Sequence, residues 1–326
     1  MIRRLLTMCV LAVLLATAAL GYYLSRPLPL PNTPFEFSLR QGSSLTSMAH
    51  EMHQAGLLPQ AQMFIWLVRL LGKDQQIKAG SYTLTQAVTP LELLHILQQG
   101  QVSQCRISLI EGWTFRQFRA TLDATADILH DSSGLSNDEI LRRIGATENH
   151  AEGLFFPDTY HFDAGSSDME ILKRAYQTMQ QYLLKEWLLR DKDLPLSDPY
   201  QALILASIVE KETGVHSDRS IIAGVFVNRL RKGMALQTDP SVIYGLGERF
   251  DGNLRKRDLL ADTPYNTYTR PGLPPTPIAL PGAASLQAAL HPAQTDALYF
   301  VARGDGSSHF SKTLTEHNRA VNRYQK

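Results

Sequence analysis

The sequence predicts an α+β protein in three parts, on three observations. Short strand-like segments, alternating at 35–39 and continuously apolar at 298–302, are interspersed with longer segments of helical period, the signature of mixed helices and strands. A run of about 20 uncharged residues, 5–24, stands apart at the N-terminus, long enough to span a bilayer as a helix. A proline-rich stretch, 25–34, separates it from a smaller α+β module at 35–100 and a larger α+β domain at 101–326.

Taking these in order, Arg3 and Arg4 precede the apolar run, and Tyr22 and Tyr23 stand where an interfacial aromatic belt belongs. This predicts a single-pass transmembrane anchor with a cytoplasmic N-terminus and the rest of the chain across the membrane. Ala16-Thr17-Ala18 has the form of a cleavage site, so a removed leader is the competing reading. The apolar run continues past that site, which favours the anchor. SRPLPLPNTP at 25–34 reads as a stiff, extended spacer.

Within the module, residues 35–39 alternate as a strand, Ser43 or Ser44 caps a helix through 52, residues 59–71 carry a second helix, and 77–85 returns as a strand. Thr89-Pro90 opens a further helix to 99. The strand, helix, helix, strand order, with GSSLTSMA near its start and IKAGSYTL near its end, resembles a LysM fold. That resemblance implies binding to the N-acetylglucosamine chains of peptidoglycan. A structural spacer is the alternative.

In the larger domain a strand is expected at 102–110, helices at 114–124 and 137–144, and an aromatic turn, EGLFFPDTY, at 152–160 that reads as a packing clamp. A long amphipathic helix at 168–189 and a charged link at 190–198 lead to the most apolar helix, 200–213. Asp198 is its expected N-cap, Pro199 its first-turn residue and Gly214 its left-handed stop. Ser217 or Asp218 is expected to cap a helix to 232 that stops at Gly233, and Thr238-Asp239-Pro240 to start another. Proline-restricted loops at 265–268 and 272–282, a strand at 298–302, a second near 309–310 and a helix at 315–324 complete the domain.

Composition narrows the function. With 32 basic and 31 acidic residues the net charge is +1, which gives no support for a nucleic-acid partner and suits a neutral polymer. The two cysteines, Cys9 and Cys105, are not expected to pair, because Cys9 lies in the apolar run. Nothing resembles a Cys/His zinc spacing, and neither a metal nor another cofactor is expected; a serine hydrolase is poorly supported, as no Gly-x-Ser-x-Gly elbow precedes a suitable Asp and His.

The candidate acid is Glu210, in the last turn of the apolar helix. There the helix dipole, worth about 0.3–1 kcal/mol, and burial both disfavour a carboxylate. A carboxylic acid that keeps its proton is what glycosidic cleavage requires. Helical spacing puts Glu210 on one face with Leu203, Ala206 and Ser207, small enough for a sugar to approach, and turns Glu212 away by roughly 200°. A solvated helix end is the plain alternative.

IVEKET at 208–213, VNRL at 227–230, LQTDPSVIYG at 236–245, YNTY at 265–268 and GLPP at 272–275 together resemble the endolytic murein transglycosylase, or YceG-like, family. In GLPPTPI, Thr276 stands where the family pattern has Gly. The resemblance implies a bacterial inner-membrane enzyme whose periplasmic domain cuts nascent peptidoglycan strands, with peptidoglycan synthases as candidate partners. It places the catalytic glutamate at Glu210. It implies β-1,4 cleavage between N-acetylmuramic acid and N-acetylglucosamine with a 1,6-anhydro end as product, one acid serving both proton transfers. It also makes Ser207, Asn228, Gln237, Thr238, Asp239, Tyr265, Asn266 and Tyr268 candidates for holding the glycan. A hydrolytic muramidase using Asp239 or another acid to activate water, and a membrane-tethered peptidoglycan-binding scaffold, are the rival readings.

Overall fold

The computed structural model describes residues 11, 14, 15, 17, 18, 20–39, 42–100 and 105–325. Of the apolar run 5–24, positions 5–10, 12, 13, 16 and 19 lie outside the described residues. Among the described residues no helix is long and apolar enough to cross a membrane. The chain is a mixed α+β protein that divides into two compact units. One comprises residues 1–106, 127–129 and 161–166, the other 107–126, 130–160 and 167–326.

In the first unit β1 (Phe35–Leu39) pairs antiparallel with β2 (Gly80–Leu84), Phe35 opposite Leu84 and Phe37 opposite Tyr82. The β1 residues Phe35 and Leu39 and the β2 residues Tyr82 and Leu84 are buried. Helices α1 (Leu45–Gln54), α2 (Ala61–Leu70) and α3 (Pro90–Gln99) supply Met52, Phe64 and Leu93 to the same core. Ser44 caps α1, and a Thr89/Glu92 capping box with Pro90 in the first turn starts α3, as those residue types should. The proline-rich stretch has no regular structure, yet it is not a free spacer. Leu28 is buried in this core and its amide donates to the Val88 carbonyl at 2.8 Å. β2 is shorter than the expected 77–85 strand because residues 74–76 form a 3₁₀ turn and Tyr82 returns its hydroxyl to the Lys78 carbonyl at 2.6 Å.

β3 (Cys105–Ser108) and β4 (Thr159–Phe162) form a second two-stranded sheet, and Cys105 is a free thiol. β4 takes up the end of what reads in the sequence as a turn, and residues 101–104 of the expected 102–110 strand lie outside the described residues. The core of the second unit begins with α4 (Phe115–Asp123), α5 (Asn137–Ile144) and the long α6 (Asp168–Leu189). Phe155 of the aromatic turn stacks on Phe115 with centroids 4.7 Å apart and meets Phe118 edge-on at 5.5 Å. The turn is therefore a packing element.

At the centre lies α7 (Pro199–Glu212), capped by Asp198 through the Gln201 amide at 2.9 Å, with every residue from 202 to 209 buried. Its main partner is α11 (Ala283–Leu290), a helix that the sequence pattern does not announce. Around them sit α8 (His216–Arg231), α9 (Asp239–Leu246) and the short α10 (Lys256–Leu260). β5 (Tyr299–Ala302) pairs antiparallel with β6 (Ser308–Ser311), and α12 (Leu314–Tyr324) closes the chain.

Two expected helix signals fall elsewhere. α7 ends without a left-handed glycine: Thr213 is extended (φ −149°, ψ 135°) and its hydroxyl accepts the Val215 amide at 2.9 Å. Neither Ser217 nor Asp218 caps α8, which starts after Val215 with no side-chain cap. Asp218 instead accepts the Ser308 amide at 2.6 Å, a partly buried donor at the start of β6.

Candidate functional site

Glu210 sits at the C-terminal end of α7 with its side chain only 7% exposed. The expected helical face is real, but it is not open to a sugar. Leu203, Ala206 and Ser207 are fully buried under the proline-rich loop that leads into α11. Ser207 Oγ accepts the Ile278 amide at 3.0 Å and donates to the Ile204 carbonyl at 2.7 Å. One turn further along, Glu210 Oε2 accepts the Gly282 amide at 3.0 Å. The loop is thus pinned to α7 at two positions three residues apart, matching the helical repeat.

On the other side of that loop runs residues 109–113. Gly112 donates to the Leu280 carbonyl at 2.8 Å and Leu280 donates to the Trp113 carbonyl at 2.7 Å. Lys211 Nζ donates to the Gly112 carbonyl at 3.1 Å. This pairing brings a second carboxyl group to the site. Glu111 lies so tightly against Gly282 that a β-carbon there would overlap its carboxylate. Burial, then the charge of Glu210, push the Glu111 carboxyl upward, and Arg219 opposes them. Arg219, from the first turn of α8, places a guanidinium nitrogen 3.9 Å from Glu210 Oε1. Glu111, not Asp239, is thus the acid that the fold brings to Glu210. Glu111 follows β3 in a turn, and nothing in its spacing relates it to α7.

The residues proposed from the sequence to hold glycan separate into different places. Thr238, Asp239 and Tyr268 gather around Glu212 rather than Glu210, and Gln237 Oε1 accepts from Arg229 at 3.3 Å. Gln237 is, among the described residues, the non-glycine with a positive φ, 52°, and it leads into Thr238, whose hydroxyl donates to Glu212 Oε1. Asp239 occupies the first turn of α9 rather than its cap and accepts the Tyr268 hydroxyl at 2.5 Å. Asn266 is fully buried and donates to the Ala261 carbonyl at 2.6 Å, tying down the loop. Asn228 donates to the Thr295 carbonyl at 2.8 Å and lines a separate hollow of about 710 Å³. Tyr265 alone of the set lines a groove of about 960 Å³, together with Phe115, Arg116, Glu152, Tyr244 and Phe250. Its hydroxyl bonds Thr276 at 2.9 Å, so the residue at the odd position of GLPPTPI serves the groove wall.

Two acids beneath this framework are pushed up to about 7. Glu212 is raised by burial and further by Asp239, with Thr238 and Arg229 opposing. Glu152 is raised by burial, opposed by the Phe115 amide at 2.9 Å and the Tyr244 hydroxyl at 3.1 Å. In the unfolded chain both titrate near 4.5. Between that value and about 7 the folded protein holds protons that the unfolded chain releases. Stability is therefore expected to fall as pH rises through this window, by about 3 kcal/mol for each group. Urea denaturation at pH 4.5 and pH 8 checks this, and Glu212→Gln should reduce the slope; a flat profile for the wild type would contradict it.

The wider comparison agrees with this architecture. Residues 37–323 match the model of the YceG-like family. The chain is 32% identical over 312 residues to an endolytic murein transglycosylase of Bacillus subtilis, covering 90% of this chain and 85% of that one. It is 26% identical over 315 residues to an endolytic murein transglycosylase of Streptococcus pneumoniae, of which it covers 56%. A crystal structure of a putative YceG-like protein from Listeria monocytogenes is similar with a TM-score of 0.55 and 29% identity, over 87% of this chain and 98% of that one. On the extent of the family match and the Bacillus relative, the chain belongs to the YceG-like family.

Proposed function

We propose that the protein is an endolytic murein transglycosylase with Glu210 as its proton donor and acceptor. The observation that supports this best is the setting of Glu210, a carboxyl at the end of a buried helix, gripped by the Gly282 amide and faced by Arg219. Glu210 gives its proton to the oxygen joining N-acetylmuramic acid to N-acetylglucosamine as the C1–O bond breaks. As carboxylate it then takes the proton of the muramoyl C6 hydroxyl while that oxygen closes on C1. No water is consumed, the product carries a 1,6-anhydro end, and Glu210 returns to its starting form.

In this reading Tyr265 contributes to the glycan-binding wall. Ser207, Asn228, Gln237, Thr238, Asp239, Asn266 and Tyr268 hold the surrounding framework in place. Residues 5–24 anchor the chain in the inner membrane with the N-terminus cytoplasmic, residues 35–100 act as a LysM-like module gripping glycan, and the larger domain works in the periplasm. Cutting nascent strands there ends their elongation beside the synthases that make them.

Glu111 favours one rival, a hydrolytic muramidase, since a second carboxyl beside the acid can activate water. Mass spectrometry of digested, uncrosslinked strands separates the two. Anhydro ends are expected; reducing ends would replace the transglycosylase reading by hydrolysis. Protease protection in spheroplasts checks the orientation of the anchor.

A further inference from the structure

The reaction needs Glu210 with its proton at the first step and without it at the second. A neighbouring anion favours the first form and a neighbouring cation the second. Both are present. Glu210 and Glu111 bracket a single residue: one accepts the Gly282 amide, and the other lies against the Gly282 α-carbon. Arg219 faces Glu210 from α8, with side chains 11% and 7% exposed, and its own buried Nε has no hydrogen-bond partner among the described residues. That Nε is therefore not committed to another acceptor.

The other charges near α7 are turned elsewhere. Lys211 reaches the Gly112 carbonyl, and Asp239 and Tyr268 bond each other on the Glu212 side. Glu186 of α6 lies beside Lys185, and α11 carries no titratable residue.

We infer that Glu111 and Arg219 are opposed positioning residues that set when Glu210 holds its proton, Glu111 favouring the acid form and Arg219 the carboxylate. This rests on Glu210 being the proton donor. Glu111 itself is raised by burial and by the Glu210 charge and lowered by the Arg219 guanidinium.

The test is the pH profile of kcat for the full chain on purified, uncrosslinked glycan strands. Glu111→Gln should move the alkaline limb to lower pH by about 1 unit, so that activity above the limb falls about tenfold. Arg219→Gln should move it the other way, Arg219→Lys should keep the wild-type position, and the double variant Glu111→Gln/Arg219→Gln should return towards it. Because Gln keeps nearly the shape of Glu, the Glu111 variant is expected to fold whatever becomes of those at Arg219. A Glu111→Gln profile superimposable on the wild type, or displaced to higher pH, overturns the inference. Full cleavage by Glu210→Gln would instead remove the proton-donor reading itself.

Discussion

Replacing Glu210 by Gln is expected to lower kcat by about 10³-fold or more, while the fold and the affinity for glycan are kept. A positioned acid or base contributes about 10²–10⁴-fold, and in the proposed mechanism one carboxyl serves both proton transfers, which places the expected loss towards the upper end. Gln has nearly the same shape, and its carbonyl oxygen can still accept the Gly282 amide now held by Oε2 at 3.0 Å. The melting temperature should therefore change little. Single-turnover cleavage of labelled strands, with binding measured on the same preparation, gives the comparison. A variant that binds and cuts like the wild type would show that the carboxyl does no chemistry.

The largest effect on stability is expected at Gly153. Its φ of +80° lies in the left-handed region, where a side chain costs about 1–2 kcal/mol. A β-carbon there would also overlap the ring of Pro277, which cannot swing aside, and relieving such an overlap costs a further 1–3 kcal/mol or so. Gly153→Ala should thus destabilise the protein by about 2–5 kcal/mol. Gly134 is the internal comparison, since its φ is +75° but nothing lies within 4 Å of an added β-carbon. Gly134→Ala should show only the backbone cost. Equal urea midpoints for the two variants would mean that Pro277 yields. Activity should fall as well in Gly153→Ala, because Pro277 precedes the Ile278 amide that fixes the loop on Ser207.

Much of the fold is legible where local chemistry decides it. Thr89-Pro90 with Glu92, Ser44 and Asp198 each start a helix in the expected place, since a short polar side chain there answers an otherwise unpaired amide. α11 is not legible, because AASLQAAL is too uniformly small and apolar to show a face, and its helical state is decided by close packing on α7. Around the site, the face shared by Ser207 and Glu210 follows from helical spacing. What covers that face does not. The loop bearing Ile278 and Gly282 and the turn bearing Glu111 arrive through contacts between distant parts of the chain, about which periodicity is silent. The polar residues at 237–239 and 266–268 are likewise recognisable as a group, but only the hydroxyl of Thr238 reaching Glu212 shows which acid they surround.

The pairing of residues 112 and 113 with Leu280 has a consequence during synthesis. Glu111 and Gly282 are separated by 171 positions (282 − 111), and Glu210, between them in sequence, receives an amide that is synthesised 72 residues (282 − 210) after it. A nascent chain halted before that point has the acid but neither its grip nor the helix that shields the base of α7. If Glu210 is the proton donor, a chain released before residue 282 is expected to lack cutting activity.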